Sequence, residues 1–338
     1  MLQSVIGRDK SPPEISLIVP MYNEEENCDL FFDTVEPILE NLDPDYEIVC
    51  VNDGSRDRTF ERLLAHRSRN PRIKVVNLSR NFGKEAALTA GLDLATGRAV
   101  VPIDADLQDP PELLADMVAA WRAGAQVVLA RRIDRSSDSP LKRATSAGFY
   151  YVLARMAQPA MPNNVGDFRL MDRTVVEALK RLPERSRFMK GLFAWVGYRQ
   201  VTIDYVRQPR AAGATKFNYL KLWNFALDGI VSFSSFPLKV WSYFGFLVSV
   251  LAVGFMVFLV VRTLLTGIEV PGYASTMSVI LFFNGMVMIS LGVIGEYVSR
   301  IFVEVKGRPI YLINEIDGFD GAPGYAPVPG ATRLVEPT

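Results

Sequence analysis

Three oxygen-bearing side chains occupy alternate positions where an apolar run ends. Residues 100–112 read VVPIDADLQDPPE, so Asp104, Asp106 and Gln108 follow the run directly. Side chains two residues apart on a strand project to one face, which brings these three groups together. Adjacent carboxylates call for a cation between them, and Mg²⁺ binds proteins through one or two carboxylates together with substrate phosphates. The spacing therefore predicts a Mg²⁺ or Mn²⁺ site that binds a diphosphate.

The elements that must position this site alternate between strand and helix. Short β-branched runs predict strands at 15–20, 46–52, 73–78, 98–104 and 125–130. Helical patterns fill the gaps at about 24–40, 57–68, 84–95 and 111–122. Repeated strand–helix–strand units predict an α/β fold with an open, mostly parallel, doubly wound sheet. Ligands of such sheets bind beyond the carboxyl ends of the strands, where the acidic stretch lies.

Charge and hydropathy limit the class of protein. The 338 residues carry 37 basic and 37 acidic side chains, which argues against general nucleic-acid binding. The stretches 240–261 and 270–295 are uncharged, and each exceeds the about 20 residues that a membrane-spanning helix needs. A buried hairpin of a soluble core is the alternative. The segment between the stretches has Arg262 as its only basic residue, whereas the flanks are basic, so both termini are expected in the cytoplasm.

The pattern divides the chain into five parts. We predict an N-terminal arm at 1–13, without a signal peptide, and a cytosolic catalytic domain at 14–216. An amphipathic helix at 217–236 is expected in the membrane interface, with a packed core helix as the alternative. A two-helix membrane anchor at 237–302 and a partly disordered cytosolic tail at 303–338 follow. Small residues in the first span would allow a homo-oligomer.

Several other chemistries lack their residues. Gly83-Lys84 at a helix start is similar to part of a P-loop, but the upstream glycine and the following Ser or Thr are missing. No GxGxxG follows a strand, so a nicotinamide-binding site is not predicted. Cys28 and Cys50 have no metal-ligand spacing and are expected to be reduced packing residues. His66, the single histidine, is expected at the surface, away from catalysis.

Six motifs together resemble one enzyme family. VPMYNEEEN, VNDGSRDRT, NFGKEAALTAGLDLATG, DADLQDPPE, GDFRLMDR and FMKGLFAWVGYRQ are followed by two apolar stretches. This order is similar to the polyprenyl-phosphate glycosyltransferases of family 2, which have the GT-A fold and are related to dolichyl-phosphate mannose synthase. The resemblance covers about residues 14–310 and is strongest to the bacterial undecaprenyl-phosphate glucosyltransferases. It implies inverting, metal-dependent transfer of a hexose from a nucleotide sugar to a membrane lipid phosphate.

The resemblance also implies roles for matching positions. Donor-binding residues would be Pro20, Tyr22, Glu24, Asp53, Lys84, Arg207 and Lys216. Acceptor and phosphate groups would be bound by Arg131, Arg132, Lys142, Arg143 and Ser146. The catalytic residues would be Asp104, Asp106, Asp167 and Arg169, with the metal bound by Asp104, Asp106 and Gln108.

Some of these residues have a second interpretation. Asp53 could form an Asx turn or a cap before Gly54, and Asp167 could pair with Arg169 or Arg132 instead of acting as a base. The arginines at 131 and 132 could belong to a solvated face.

The sequence leaves the donor sugar open. UDP-glucose is the donor expected from the resemblance, and UDP-linked modified arabinose, UDP-galactose, UDP-N-acetylhexosamine and GDP-mannose are alternatives. A processive polysaccharide synthase would need more spans and a Gln-x-x-Arg-Trp motif, which are not found here. A non-catalytic membrane scaffold on a transferase fold would be expected to lose the acidic residues, which are present.

Overall fold

The computed structural model describes residues 12–43, 45–133, 165–182, 184–185, 187–206, 236–266 and 272–319. The strands are β1 Ile15–Met21, β2 Tyr46–Asn52, β3 Ile73–Leu78, β4 Ala99–Pro102, β5 Val127–Arg132, β6 Val165–Asp172, β7 Gln200–Tyr205 and β8 Ile313–Asp317. The helices are α1 Cys28–Leu42, α2 Thr59–Arg69, α3 Lys84–Leu94, α4 Leu113–Arg122, α5 Arg173–Lys180, α6 Met189–Trp195, α7 Phe236–Thr266 and α8 Tyr273–Lys306.

The strands form one sheet in the order β7-β5-β6-β4-β1-β2-β3-β8. Strands β1, β2, β3 and β4 are parallel, as are β5 and β7. Strand β6 runs antiparallel between β4 and β5, and β8 runs antiparallel along β3 at the edge. The prediction of a mostly parallel α/β sheet is confirmed, and the two antiparallel insertions make it a mixed sheet.

The sheet is buried on both faces, which explains the continuous apolar runs. Ile15, Leu17 and Val19 of β1 pack with buried residues of α1, α2 and α4, whereas Ile18 packs with α3, α5 and α6. Neighbouring residues of a strand point to opposite faces, so both faces of a central strand must be apolar. The predicted strands and helices in residues 15–132 are all observed, with ends that differ by a few residues.

The two long helices follow the catalytic domain. Helix α7 has 31 residues and α8 has 34. Among the described residues, Phe282–Lys306 of α8 is long and apolar enough to cross a membrane. Many of its apolar side chains are exposed, as a lipid-facing surface requires. The second span and the domain boundaries stay predictions, and the predicted interfacial helix at 217–236 lies outside the described residues apart from Phe236.

Strand β8 is an element that sequence reasoning missed. It lies in the segment predicted as a partly disordered tail, and it pairs with β3 from Val75 to Leu78. Its sequence, INEID, is short and charged, as edge strands often are. The chain therefore returns from α8 to the catalytic sheet.

His66 corrects one expectation, because it is buried and not at the surface. Its ring stacks on Phe32 with centroids 4.2 Å apart, and its Nε2 lies 2.9 Å from Asp29 Oδ1. These contacts join α1 to α2, so the histidine packs two helices together. Cys28 and Cys50 are buried free thiols, in agreement with their predicted packing role.

A buried carboxylate ties the amino ends of the strands together. Glu47 is 2% exposed, and its carboxylate pairs with Lys74 Nζ at 2.5 Å. It also accepts hydrogen bonds from Ser16 Oγ and from the backbone N–H of Thr96. Burial alone would raise the pKa of Glu47, but Lys74 and these donors outweigh it and lower the pKa. The group therefore stabilises the folded state at neutral pH, and this contribution is lost on acidification.

We expect Lys74→Met to destabilise the protein by about 3 kcal/mol at neutral pH, because Glu47 would remain as an uncompensated buried charge. Denaturant unfolding of the full chain in detergent measures this change. The double variant Lys74→Met/Glu47→Gln should recover part of the loss, and Arg69→Met on the exposed end of α2 is the control. A double variant as unstable as the single one would show that the lysine acts through packing alone.

Candidate active site

A cleft of about 260 Å³ opens at the carboxyl ends of β1, β2 and β4. The loops after these strands and the start of α3 form its wall. Its lining residues are Pro20, Met21, Tyr22, Glu24, Asp53, Asn81, Gly83, Lys84, Ala87, Asp104, Ala105 and Asp106. The sequence therefore predicted the location of the cleft and seven of its lining residues, whose roles stay predictions.

The centre of the site is an ammonium group between two carboxylates. Lys84 Nζ lies 2.7 Å from Asp104 Oδ1 and 2.9 Å from Asp167 Oδ2. Asp104 follows β4 and Asp167 belongs to β6, which pairs with β4 at Ala99–Asp172 and Val100–Met171, and the two carboxylates meet at one ammonium group. Opposed like charges destabilise a sheet. The first residue of α3 resolves this conflict.

The three charges stabilise one another. Burial would lower the pKa of Lys84, but Asp104 and Asp167 raise it well above its ordinary range. Burial would likewise raise the pKa of Asp167, but Lys84 and Lys190 outweigh burial and lower it. The ammonium and the Asp167 carboxylate are therefore both charged at neutral pH. The Lys84 side chain is still 45% exposed, so it can meet a ligand in the cleft.

Asp53 holds the loop that leads into α3. Its two carboxylate oxygens accept the backbone N–H groups of Phe82 at 2.7 Å and Gly83 at 2.9 Å. Gly54, at φ +60°, passes so close to Arg80 that a Cβ would lie 2.4 Å from a backbone carbon. Burial raises the pKa of Asp53, while the two N–H groups lower it in part. Asp53 therefore fastens a distant loop and does not form the local Asx turn that was the alternative, and its predicted nucleoside contact stays a prediction.

The acidic stretch turns sharply after β4. Leu107 has φ +53°, a left-handed conformation that is rare for a leucine, and the N–H of Gln108 donates to Asp106 Oδ1 at 3.2 Å. This turn sets Asp104 and Asp106 into the cleft. The described part of the cleft wall does not include Gln108, and no three His, Cys, Asp or Glu residues of the described chain group as a metal site. Few protein oxygens are therefore placed to bind a metal ion. They belong to Asp106 and to Asp104, which also pairs with Lys84.

Arg169 lies beneath the site. It is 5% exposed, its guanidinium is 4.0 Å from the ring centroid of Phe193, and it donates to Gly166 O at 2.6 Å. Burial lowers the pKa of Arg169 to about 10, against the opposing effect of Asp167. Within the described residues, Arg169 Nε and Asp167 Oδ1 are buried without a hydrogen-bond partner. Such unpaired polar atoms cost stability, which is typical of functional sites.

Glu85 is a site residue that sequence reasoning missed. It follows Lys84 in α3, and its Oε2 accepts the backbone N–H of Met189, the first residue of α6, at 3.1 Å. Burial and, after it, Asp167 raise the pKa of Glu85 to about 7. The sequence shows an acidic residue in the first turn of a predicted helix, but it does not show that this residue contacts α6.

The other predicted residues lie elsewhere. Arg131 forms a two-pronged ion pair with Asp204 of β7, at 2.6 and 2.9 Å, and its side chain is 48% exposed. Arg132 is half-buried, and neither arginine is among the described residues that line the cleft. Five predicted residues lie outside the described parts of the chain, namely Lys142, Arg143, Ser146, Arg207 and Lys216.

Comparisons with known proteins agree with this architecture. Residues 16–180 match glycosyl transferase family 2, and residues 236–301 match the GtrB C-terminal hairpin. An uncharacterized glycosyltransferase of Synechocystis is 54% identical over 92% of this chain and 98% of its own length. A prophage-derived bactoprenol glucosyl transferase of Shigella flexneri is 48% identical over 89% of this chain and 98% of its own length.

Among solved structures, glucosyl-3-phosphoglycerate synthase of Mycobacterium tuberculosis matches with a TM-score of 0.45 and 22% identity, over 65% of this chain and 77% of that one. That likeness is too distant to bear on substrate or metal.

The chain is thus a glycosyltransferase that belongs to glycosyl transferase family 2. The resemblance stated from the motifs is confirmed, and so is the GT-A fold.

We expect Lys84→Met to move the acidic limb of the rate–pH profile to higher pH and to slow transfer. Without the ammonium, burial dominates and the pKa of Asp167 rises. On acidification, this carboxylate is then protonated at a higher pH. Initial rates of glycosyl transfer measured across acidic and neutral pH test this. Lys180→Met, which removes a lysine paired with Glu177 on α5, is the control. An unmoved acidic limb would contradict the assignment.

We expect Glu85→Gln to stabilise the folded protein above pH 7, by about 2 kcal/mol. The folded pKa of about 7 lies above the ordinary value of 4.5, so wild-type stability falls as pH rises through this window. Glutamine keeps an acceptor for the Met189 N–H and removes the titration. Denaturant unfolding of both proteins across the window measures the difference, and equal pH slopes would refute the prediction.

Proposed function

We propose that the protein transfers a hexose, with glucose from UDP-glucose as the favoured case, to polyprenyl phosphate. The acceptor would be undecaprenyl phosphate, and the products would be the lipid-linked sugar with inverted anomeric configuration and a nucleoside diphosphate. The observation that carries the proposal is the cleft centred on Lys84, Asp104 and Asp167. It occurs in a chain 48% identical to a bactoprenol glucosyl transferase.

The cleft suits a nucleotide-sugar donor. Pro20, Tyr22, Glu24 and Asp53 would contact the nucleoside, since they line the end of the cleft formed by β1 and β2. Lys84, at the first position of α3, would lie beside the diphosphate, where its charge and the amino end of the helix both favour an anion. A donor diphosphate would then share this ammonium with Asp104 and Asp167.

A divalent cation, Mg²⁺ or Mn²⁺, fits a donor set of few protein oxygens. Asp106 and Asp104 would hold it together with the donor phosphates, and Gln108 is proposed as a third ligand. Bound there, it would neutralise charge on the departing diphosphate. The turn at Leu107 holds the Asp106 carboxylate toward the cleft before any donor arrives.

The phosphate of the acceptor lipid would itself act as the nucleophile that attacks the donor sugar. A phosphate monoester has a second pKa of about 6 and is largely dianionic near neutral pH, so the reaction needs no strong base. Asp167 and Arg169 would orient the sugar or the acceptor. Further phosphate contacts are proposed for Arg131, Arg132, Lys142, Arg143, Ser146, Arg207 and Lys216.

The reaction would take place at the cytoplasmic face of the bacterial plasma membrane. The segment Phe282–Lys306 would anchor the catalytic domain, with α7 as a second span and both termini in the cytoplasm. The bias of Lys and Arg toward the flanks of the two apolar stretches supports this orientation.

The test is transfer of radiolabelled glucose from UDP-glucose to undecaprenyl phosphate, with Mg²⁺ or Mn²⁺ and with EDTA in parallel. Labelled lipid that forms only with metal is the expected result. If labelled lipid formed only from another nucleotide sugar, the proposed donor would be wrong and the proposed reaction would stand. No labelled lipid from any donor, with folded and membrane-inserted protein, would refute the proposal.

We expect Asp106→Ala to reduce transfer by at least about a hundredfold, because it removes a metal ligand aimed at the leaving group. The fold should persist, since Asp106 is only partly buried and accepts the Gln108 N–H within its own turn. Asp116→Ala, on the exposed face of α4, is the matched control. Turnover by the Asp106 variant equal to that of the control would exclude a metal role for Asp106.

A further inference from the structure

The carboxyl end of α8 is held by the loop before α6. The carboxylate of Glu304 accepts the backbone N–H of Arg185 at 2.9 and 3.0 Å. The Arg185 side chain donates in return to the carbonyl oxygens of Arg308 at 2.9 Å and Gly307 at 3.1 Å. A helix ends with unpaired carbonyl groups and negative partial charge, so an arginine there is favourable. We call Arg185 and Glu304 the clasp.

A second joint lies a few residues further on. Tyr311 donates its hydroxyl to Asp93 of α3 at 2.8 Å, and the N–H of Ser79 donates to Leu312 O at 2.9 Å. Strand β8 then pairs with β3 at the sheet edge. The chain is thus fixed to the catalytic domain on both sides of Gly307, whose left-handed φ of +67° ends the helix. Two separate points of attachment restrict rotation as well as translation.

The clasp residue Arg185 is near in sequence to a residue that contacts the catalytic cluster. Four residues after Arg185, the N–H of Met189 donates to Glu85, which neighbours Lys84. Helix α6 also supplies Phe193, on which Arg169 stacks. The loop that holds the end of α8 is therefore the loop that leads into the wall beneath the active site.

We propose that Arg185 and Glu304 are positioning residues that set the height and tilt of the cleft relative to the membrane. This rests on the proposed function, in which the acceptor phosphate lies at the bilayer surface. A phosphate held by a bilayer cannot follow a cleft that tilts away, whereas a soluble phosphate can diffuse to it. Because misplacement by about 1 Å can slow a reaction a hundredfold, a rigid joint matters for the lipid acceptor.

The test compares two acceptors with the full-length protein in lipid nanodiscs. One is undecaprenyl phosphate in the bilayer, and the other is geranyl phosphate, a short prenyl phosphate added from water. Variants Arg185→Ala and Glu304→Ala are compared with Arg69→Ala, an exposed arginine on α2 far along the chain from the clasp. We expect turnover with the bilayer acceptor to fall about tenfold in both clasp variants. The kcat and KM for geranyl phosphate and the KM for the donor should match the control.

Each other outcome overturns part of the account. Equal losses with both acceptors would mean that the clasp supports folding or the chemistry itself, and no loss with either would mean that it positions nothing. If wild-type protein glycosylates neither acceptor, the proposed function fails on its own. The clasp is then judged by hydrogen exchange of residues 304–312, where Arg185→Ala should speed exchange relative to Arg69→Ala, and unchanged exchange would refute it.

Discussion

The site depends on one ammonium group that lets two carboxylates lie opposite each other. Asp104 lies in the loop after β4 and Asp167 belongs to the neighbouring antiparallel strand β6, so two like charges lie close together. Lys84 lies within 2.9 Å of both, so the repulsion becomes a three-charge cluster. Lys84 is the first residue of α3, and Asp53 holds the loop in front of this helix. A cluster already paired in this way is preorganised to receive an anion.

The same cluster explains why so much charge is tolerated beneath the cleft. Arg169 is almost fully buried and stacks on Phe193, and the Asp167 carboxylate offsets the charge of Arg169 as well as that of Lys84. Glu85 is compensated less fully, because burial and, after it, the nearby Asp167 charge both disfavour its ionisation. Perturbed groups concentrated in one cleft are the pattern expected of a site that is selected for chemistry and not for stability.

The sequence predicted the strands and helices whose formation depends on a local pattern of residues. Strands β1 to β5 and helices α1 to α4 have periodicity and turn signals of their own, and the acidic strand end indicated the cleft. Strand β6 and strand β8 were not recognised, because charged residues interrupt their apolar pattern and their pairing depends on partners elsewhere in the chain. The Lys84 contacts join positions 20 and 83 residues apart, so spacing could not show them. From the sequence alone, Asp104, Asp106 and Gln108 predict a metal site, and nothing in the sequence shows that Asp104 pairs with Lys84.

The cation that the acidic stretch requires is therefore supplied in two ways, one permanent and one proposed. Lys84 belongs to the fold and neutralises Asp104 from the α3 side, whereas Asp106 faces the cleft from the turn that follows. In the proposed reaction the phosphate acceptor is already anionic at neutral pH, so the site would have to provide positive charge and not a base. The single histidine packs between α1 and α2 and is not needed for this chemistry. Such an enzyme would gain its rate from charge and alignment, and the attachment of α8 to the same domain is the proposed source of alignment with the membrane.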